Sequence, residues 1–258
     1  MLKCRVIPIL TFNGFALIKT KQFATNARMV GNAVQAARVF NARNVDELVF
    51  LDVYASDQNR KINLNVVRSI INECYMPVGI GGGISSIEDI HNLLAIGADK
   101  VILKNVMIKN PNFLNKAANI FGNQCITLSI DAHKVDGEYY LYNRLGKTIL
   151  LRDFIQHISK YNFGEIILNS VNHDGMMEGF DLDLIKMFEK NIKVPIVVVG
   201  GAGNPEHFKQ LFSETSVEAA GAASIFYFTQ YTPQDIKISS SNSGKPMRIV
   251  NQSYPQVN

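Results

Sequence analysis

The sequence predicts a (β/α)8 TIM barrel, on three observations. The chain has 258 residues, which is close to the usual length of this fold. Short apolar runs that suit buried parallel strands alternate with segments that have the apolar spacing of a helix. The second half of this series also repeats the first. A single barrel domain is therefore expected over residues 1–258, with half-barrels at about 1–123 and 124–230.

The first half-barrel is predicted to contain four strands, each followed by a helix. The strands are apolar runs rich in β-branched residues, and the helices have apolar residues three and four positions apart. A long loop, residues 11–27, follows the first strand. The predicted strands are 5–10, 47–52, 77–80 and 100–103, and the predicted helices are 28–41, 64–74, 87–96 and 111–121.

The second half-barrel continues the pattern but ends less regularly. Its predicted strands are 126–130, 165–171, 195–199 and 218–224, with helices at 152–161, 182–189 and 205–212. A polar insertion at 138–148, with Tyr139 and Tyr142, suggests a small hairpin. No clear eighth helix follows, because residues 239–244 are a flexible polar run. Residues 231–258 are therefore expected to form an irregular terminal cover.

The internal repeat is seen at particular residues. Glu47 corresponds to Glu165, and Pro77 corresponds to Pro195 at the same offset. The glycine run at 81–83 then corresponds to 200–202 after a slip of one residue. Chance similarity among strand–helix units is the poorer explanation, because these residues match in order. A twofold repeat would place equivalent loops on opposite sides of the barrel mouth.

The ends of the predicted strands carry the candidate site. Asp131 stands where the strand at 126–130 gives way to polar residues, and ligands collect at the carboxyl ends of parallel strands. Glycine-rich strand ends let an anion approach backbone N–H groups, although such turns also occur for structural reasons. A ligand with a phosphate at each end would fit the repeat. One predicted site combines Gly82, Gly83, Lys104 and Asn105, and the other combines Gly200, Gly201, Ala223 and Ser224 beside Asp174 and Gly175.

Composition excludes several classes of function. The formal net charge is only +4, and no basic stripe indicates nucleic acid as a partner. No apolar run is long enough to span a bilayer and no signal peptide opens the chain. Cys4, Cys74 and Cys125 are isolated, which favours reduced thiols in the cytoplasm. The five histidines have no ligand spacing, so neither a metal nor another cofactor is expected.

Seven motifs spread over nearly the whole chain resemble those of the cyclase subunit of imidazole glycerol phosphate synthase, the HisF family. That resemblance implies a twofold-repeated barrel of histidine biosynthesis and a lyase-type activity. It also implies a glutaminase (HisH-like) partner whose ammonia passes through the barrel to a bisphosphorylated ribulosyl substrate. The motifs are Asp-Glu-Leu-Val-Phe-Leu-Asp at 46–52, Gly-Gly-Gly-Ile at 81–84, Gly-Ala-Asp-Lys at 97–100, Ile-Asp-Ala at 130–132 with Val-Asp-Gly-Glu at 135–138, Leu-Arg-Asp at 151–153, Gly-Gly-Ala-Gly at 200–203 and Ala-Ala-Ser at 222–224.

The same resemblance implies an ammonia gate at the amino ends of the strands. Two cations and two anions there can neutralise each other, whereas a lone buried charge would be costly. A stabilising salt-bridge layer is the simpler alternative, but the presence of all four members favours the gate. The gate residues are Arg5, Glu47, Lys100 and Glu165, and Asp99 and Gln124 match positions of the glutaminase-binding face.

The catalytic end departs from the family pattern. The family uses two carboxylates as general acid and base; one is Asp131, but the other position is Thr11. Threonine cannot exchange a proton at neutral pH, and losing one such group typically forfeits about 10²–10⁴ in rate. Other substrate positions are partly kept and partly changed. Lys19 and Asp52 are kept, Asn169 and Asn172 replace a Thr and an Asp, and Lys104 with Asn105 replaces Asn-Thr.

Three hypotheses follow. The preferred one is a divergent HisF-like paralogue that channels ammonia to a phosphorylated sugar-type acceptor. Such paralogues belong to surface-polysaccharide systems, where a third amidotransferase subunit makes amidino sugars, and the chain is similar to them at residues 5–10. The first alternative is an authentic cyclase of histidine biosynthesis. The second is a phosphate-binding scaffold without catalysis.

Overall fold

Eight parallel strands close into a barrel in the computed structural model, which describes residues 3–143 and 148–249. The strands are β1 (Arg5–Phe12), β2 (Leu17–Lys19), β3 (Arg28–Gly31), β4 (Leu48–Asp52), β5 (Val78–Gly81), β6 (Lys100–Leu103), β7 (Ile126–Val135), β8 (Glu138–Leu141), β9 (Glu165–Ser170), β10 (Ile196–Val199) and β11 (Ala219–Ala222). The helices are α1 (Ala33–Ala42), α2 (Leu64–Ile71), α3 (Ile87–Ile96), α4 (Asn105–Lys109), α5 (Asn112–Phe121), α6 (Leu151–Ile158), α7 (Leu182–Asn191), α8 (Pro205–Glu214), α9 (Ser224–Phe228) and α10 (Pro233–Ser240).

The order of strands around the barrel is β1, β4, β5, β6, β7, β9, β10 and β11, and β11 pairs back with β1. Every one of these pairings is parallel. The (β/α)8 fold predicted from the sequence is thereby confirmed. In this ring β1 and β7 lie on opposite sides, because three strands separate them in either direction.

The core has two apolar layers, as alternation along a strand requires. On β7, Ile126, Leu128 and Ile130 pack outward into the layer shared with the helices. The intervening positions, beginning with Thr127, face the barrel axis. There a separate inner layer is formed mainly by Ile, Val and Ala side chains, including Ile102 from β6.

The terminal segment corrects one prediction. Residues 233–240 form the regular helix α10, so an irregular cover beginning at 231 is wrong for this stretch. Thr232 and Asp235 form a capping box, and Pro233 occupies the first turn, where its missing N–H costs nothing. The Lys237 Nζ is buried and donates to Asp46 Oδ1 at 2.7 Å. The last part of the predicted cover, residues 250–258, lies outside the described residues.

The first loop also differs from its prediction. Residues 28–31 form β3 rather than the start of a helix, and α1 begins after the Asn32 cap. β3 pairs antiparallel with β2, which lies inside the predicted loop at 11–27. A hairpin does occur near the one predicted at 138–148, but β8 pairs with the end of β7, so one of its two strands lies before the predicted range. Residues 144–147 of that hairpin lie outside the described part.

The described part of the chain has neither a membrane-spanning helix nor a cluster of metal ligands. No helix there is both long and apolar enough to cross a membrane. The described His, Cys, Asp and Glu side chains form no group of three that could hold a metal ion. All three cysteines are free thiols; Cys4 is buried, whereas Cys74 and Cys125 are partly exposed.

Candidate active site

A cavity of about 220 Å³ lies at the carboxyl ends of the barrel strands. The residues predicted for catalysis, substrate or phosphate binding line it, except Gly83 and Asn172. These lining residues are Thr11, Lys19, Asp52, Gly82, Lys104, Asn105, Asp131, Asn169, Asp174, Gly175, Gly200, Gly201, Ala223 and Ser224.

The Asp131 carboxylate does not stand alone in the cavity. Its Oδ2 accepts a hydrogen bond from the Lys104 Nζ, which forms an ion pair with it. The Lys104 Nζ also lies 5.9 Å from the ring centroid of Phe23 and 5.8 Å from that of Tyr142. Sequence analysis placed Lys104 in a phosphate site, placed Tyr142 only in the predicted hairpin and did not single out Phe23. Neither ring stands in a recognisable motif, so only the folded chain reveals them.

Thr11 lies across the barrel from Asp131. It is on β1, on the opposite side of the ring from β7. Its Oγ1 donates to the backbone oxygen of Ile18 on β2, at 2.5 Å. The Thr11 hydroxyl therefore stabilises the connection between β1 and β2. The wall of the cavity opposite Asp131 has no carboxylate at this position.

A second acidic side chain, Asp174, lines the same cavity. Burial raises the pKa of its carboxyl to about 6; the charge of Lys19 opposes the shift and that of Asp131 adds to it. Asn169 Nδ2 donates a hydrogen bond to Asp174 Oδ2 at 3.4 Å, which also opposes the rise of this pKa. Burial likewise lowers the pKa of Lys19 to about 8, against the attraction of Asp174. Asp174 follows β9, which adjoins β7, so it approaches Asp131 from the neighbouring strand and not from across the barrel.

Asp52 forms an ion pair with Arg60, a residue that the sequence analysis did not single out. Its side chain is fully buried and accepts two hydrogen bonds from Arg60, at 2.5 and 2.7 Å. Such a paired fork is among the strong charge-assisted contacts in proteins. Because both oxygens of Asp52 are taken, its main role in this arrangement is to hold the loop after β4. Arg60 stands in no motif, so no sequence signal could have found it.

Two of the predicted glycines are required by close backbone contacts. At Gly201, with φ +103°, an added Cβ would lie 1.8 Å from the backbone oxygen of Gly179. At Gly83, with φ +65°, it would lie 2.4 Å from the backbone oxygen of Arg60. The Gly83 backbone thus packs against the Arg60 loop, which is a structural reason for a glycine that the sequence had assigned to phosphate.

The repeat extends to the backbone around the cavity. Lys104 precedes the short helix α4 with φ −133° and ψ −80°, and Ala223 precedes the short helix α9 with φ −133° and ψ −64°. The two positions therefore have nearly the same conformation. Their side chains differ, because Lys104 carries a charge and Ala223 does not. The two ends of the cavity are alike in shape and unlike in charge.

The four predicted gate residues meet in a closed ring at the other end of the barrel. Arg5 bonds to Glu47 and also to Glu165, the latter at 2.5 Å. Lys100 completes the ring at 2.9 Å from Glu47 and 2.8 Å from Glu165. Burial alone would lower the pKa of the Arg5 guanidinium, but the charges of Glu165 and Glu47 raise it. The ring is a geometric fact, and its role as a gate stays a prediction.

Polar groups also occur between the ring and the cavity. Thr127 pairs in register with Glu165 and therefore faces the same side of the sheet, the barrel interior. Its Oγ1 is buried and has no hydrogen-bond partner among the described residues. Ser129, two positions further along β7, lines the cavity. The hydroxyl groups of Thr127 and Ser129 thus lie along β7 between the ring and Asp131, in an otherwise apolar interior.

The predicted partner residues are exposed. Asp99 and Gln124 both have exposed side chains near the amino ends of strands, and Asp99 Oδ2 accepts from the Val78 N–H at 2.8 Å. Tyr75, which the sequence did not single out, is 95% exposed. It lines a shallow cavity together with Arg5 of the ring. Tyr75 therefore adds a large aromatic side chain to this face.

Comparison with known proteins agrees with this architecture. The model of a family described as histidine biosynthesis protein matches residues 6–232. The chain is 39% identical over 254 residues to imidazole glycerol phosphate synthase subunit HisF of Staphylococcus saprophyticus, covering 96% of this chain and all of that one. This chain belongs to the HisF family.

Other HisF-family relatives also match over nearly their whole length. A protein named imidazole glycerol phosphate synthase subunit hisF2, from Campylobacter jejuni, is 35% identical, with 97% of this chain and all of that one covered. The HisF subunit of an Exiguobacterium species is 36% identical, with 97% and 98% covered. Membership of the HisF family, predicted from motifs, is thereby confirmed. The assignment to a polysaccharide system stays a prediction.

Proposed function

We propose that this HisF-family chain is the synthase subunit of a glutamine amidotransferase. It takes ammonia from a HisH-like glutaminase at the charge ring and delivers it to a phosphorylated acceptor in the cavity. The observation that supports this is the arrangement of the two sites. The ring of Arg5, Glu47, Lys100 and Glu165 and the cavity around Asp131 lie at opposite ends of one barrel. The hydroxyls of Thr127 and Ser129 lie between them.

The acceptor in this proposal differs from that of histidine biosynthesis. A general acid and a general base on opposite sides of a substrate need two groups that exchange protons. Across from Asp131 the chain has Thr11, whose hydroxyl is bonded to the backbone, and Asp131 itself is paired with Lys104. Both changes alter the chemistry at the mouth and leave the ring untouched. A phosphosugar of surface-polysaccharide synthesis, handled with a third amidotransferase subunit, fits this pattern.

Complementation tests the choice of acceptor. The chain is expressed in a histidine auxotroph that lacks its own cyclase subunit, with the Staphylococcus saprophyticus HisF as the positive control. We expect no growth without histidine. Growth at the rate of the control would contradict the proposal. Thr11→Asp is the informative variant, because growth of that variant alone would mean that the mouth lacks only this carboxylate.

A glutaminase assay tests the ammonia route separately. The cognate glutaminase is measured with and without this chain, and we expect the chain to stimulate glutamine hydrolysis. A phosphate-binding scaffold would leave hydrolysis unchanged. Gln124→Ala probes the contact face, and Glu88→Ala, an exposed side chain on α3, is the matched control.

An authentic cyclase of histidine biosynthesis is the second candidate. Two observations favour it: 39% identity to a HisF subunit over the full length and the Asp174 carboxyl, whose pKa of about 6 suits proton transfer near neutral pH. In that case Asp131 and Asp174 would share the work from adjacent strands. Loss of growth in Asp174→Asn, after growth of the unmodified chain, would identify this arrangement.

A further inference from the structure

We propose that Lys104 binds a phosphate of the acceptor and that, in doing so, it leaves Asp131 and releases that carboxylate to accept a proton. The inference rests on the proposed function, because it names the residue that recognises its acceptor. Lys104 would then be both a specificity determinant and the switch that makes Asp131 available. The substrate class is a small molecule with a phosphate that reaches the end of β6.

Lys104 lies where a ligand in the cavity can reach it. It follows the last residue of β6, and β6 pairs with β7, which carries Asp131. Its side chain is 29% exposed and lines the cavity, whereas the Asp131 side chain is 10% exposed. A ligand in the cavity can therefore reach the ammonium more easily than the carboxylate. Any anion that does so competes with Asp131 for the same charge.

Lys104 also has hydrogen-bonding capacity that Asp131 does not use. An ammonium group has three N–H donors, and among the described residues Asp131 is the only side chain that accepts from it. The other two neighbours are the faces of Phe23 and Tyr142, which attract a cation without accepting a conventional hydrogen bond. The remaining N–H groups are thus available to phosphate oxygens. Phosphate carries more negative charge than one carboxylate, so it can displace Asp131.

The two rings hold the ammonium at the mouth of the cavity. Phe23 and Tyr142 contact each other edge to face, with centroids 5.3 Å apart. Phe23 has φ +58°, an uncommon conformation for a bulky residue, and such backbone costs persist where the surroundings over-determine them. Because Phe23 comes from the loop between β2 and β3 and Tyr142 from the segment after β8, Lys104 is held between two separate parts of the chain.

A general base must be free to take a proton. While Asp131 accepts from Lys104, part of its capacity is used and its charge is offset by the ammonium. Transfer of Lys104 to a phosphate would restore that capacity only after the acceptor is bound. The pair would thus prevent proton transfer before the substrate is in position. No comparable lysine stands at the equivalent position of the second half-barrel, where Ala223 precedes α9.

Phosphate binding to the full-length chain tests the exchange directly. Inorganic phosphate is titrated calorimetrically into the unmodified chain, Lys104→Asn, Asp131→Asn and the double variant. We expect Lys104→Asn to weaken phosphate binding about tenfold or more, as for the loss of one charge-assisted hydrogen bond. Asp131→Asn should strengthen it several-fold, because the internal competitor is removed. That gain should shrink in the Lys104→Asn background, which separates competition for Lys104 from a general change in charge.

Lys134 offers a matched control outside the cavity. Its Nζ lies 3.9 Å from Asp183 and 5.0 Å from the ring centroid of Tyr139, so it too has a carboxylate and an aromatic partner. Lys134→Asn should leave phosphate binding unchanged. Circular dichroism checks that each variant is folded, and Lys104→Gln replaces Lys104→Asn if the latter is not.

The opposite signs of the two single variants make the proposal refutable. Unchanged phosphate binding in Lys104→Asn and Lys104→Gln, or weaker binding in Asp131→Asn, would overturn it. The measurement needs neither the glutaminase nor the acceptor. A chain that binds phosphate through Lys104 but fails to stimulate a glutaminase would therefore contradict only the proposed function.

Discussion

Asp174 should make the protein lose stability as the pH rises from about 4 to about 6. Burial raises the pKa of this carboxyl from 3.8 to about 6. The native state therefore holds the proton up to about pH 6, whereas the unfolded chain releases it near 3.8. The stabilising contribution of the protonated form is fully present below the unfolded pKa and is lost as the pH rises through the folded pKa.

The size of this effect follows from the two pKa values. They differ by about two pH units, and each unit corresponds to about 1.4 kcal/mol, so the upper bound is about 3 kcal/mol. Asp174 is partly exposed at the cavity wall, and solvent screening reduces the effect to about 1–3 kcal/mol. Asp174→Asn has a similar shape and does not titrate. The unfolding free energy of the variant, relative to the unmodified chain, should therefore rise by this amount between pH 4 and pH 6.5.

Urea denaturation followed by circular dichroism at several pH values between 4 and 7 measures the difference. Other carboxyls titrate in the same range, so only the difference between the two proteins isolates Asp174. Asp183→Asn is the matched control, because the Asp183 side chain is 81% exposed. The difference in unfolding free energy between Asp183→Asn and the unmodified chain should be the same at every pH. If the difference for Asp174→Asn is also independent of pH, burial does not raise the pKa of Asp174 and this reasoning is wrong.

Three further predictions concern stability alone, each measured by urea denaturation at neutral pH. Glu47→Gln should lower the unfolding free energy by about 1–3 kcal/mol, below the full cost of unpairing a buried charge, because Arg5 and Lys100 keep Glu165 as a shared partner. Thr232→Ala should cost about 1 kcal/mol, since it removes the side-chain cap of α10. Thr127→Val should be neutral or stabilising by up to about 1 kcal/mol, because the lost hydroxyl has no partner in the described structure.

The first two of these variants have matched controls. Glu88→Gln removes an exposed carboxylate and should change nothing, so an equal loss in both glutamate variants would argue against a stabilising ring. Thr25→Ala, at an exposed loop position, is the control for Thr232→Ala. A clear loss of stability in Thr127→Val would mean that the buried hydroxyl is hydrogen-bonded in solution.

Strongly patterned elements were predictable from local sequence. The bounds of α3 (Ile87–Ile96) and β6 (Lys100–Leu103) agree with the prediction, because a capping serine, a terminal glycine and an apolar run mark them. β3 was missed because its antiparallel pairing with β2 is decided by the fold of the loop. α10 was missed because much of its buried surface is polar: Lys237 is held by Asp46, which lies far away along the chain.

The sequence by itself determined which residues the barrel would bring to its two ends. Alternating apolar runs specify parallel strands, and the first and last residues of those runs are then confined to opposite faces. The four ring residues, which the family resemblance had named, and most of the residues predicted for the cavity lie at the two ends that are specified in this way.

Only the tertiary structure decided which of those side chains touch. Lys104 was expected in a phosphate site, and in the structure it forms an ion pair with Asp131. Arg60 forms an ion pair with Asp52. Contacts of this kind depend on how adjacent strands are staggered and on how the loops above them fold. Long charged side chains can reach several partners from one backbone position, and closure of the barrel selects among them.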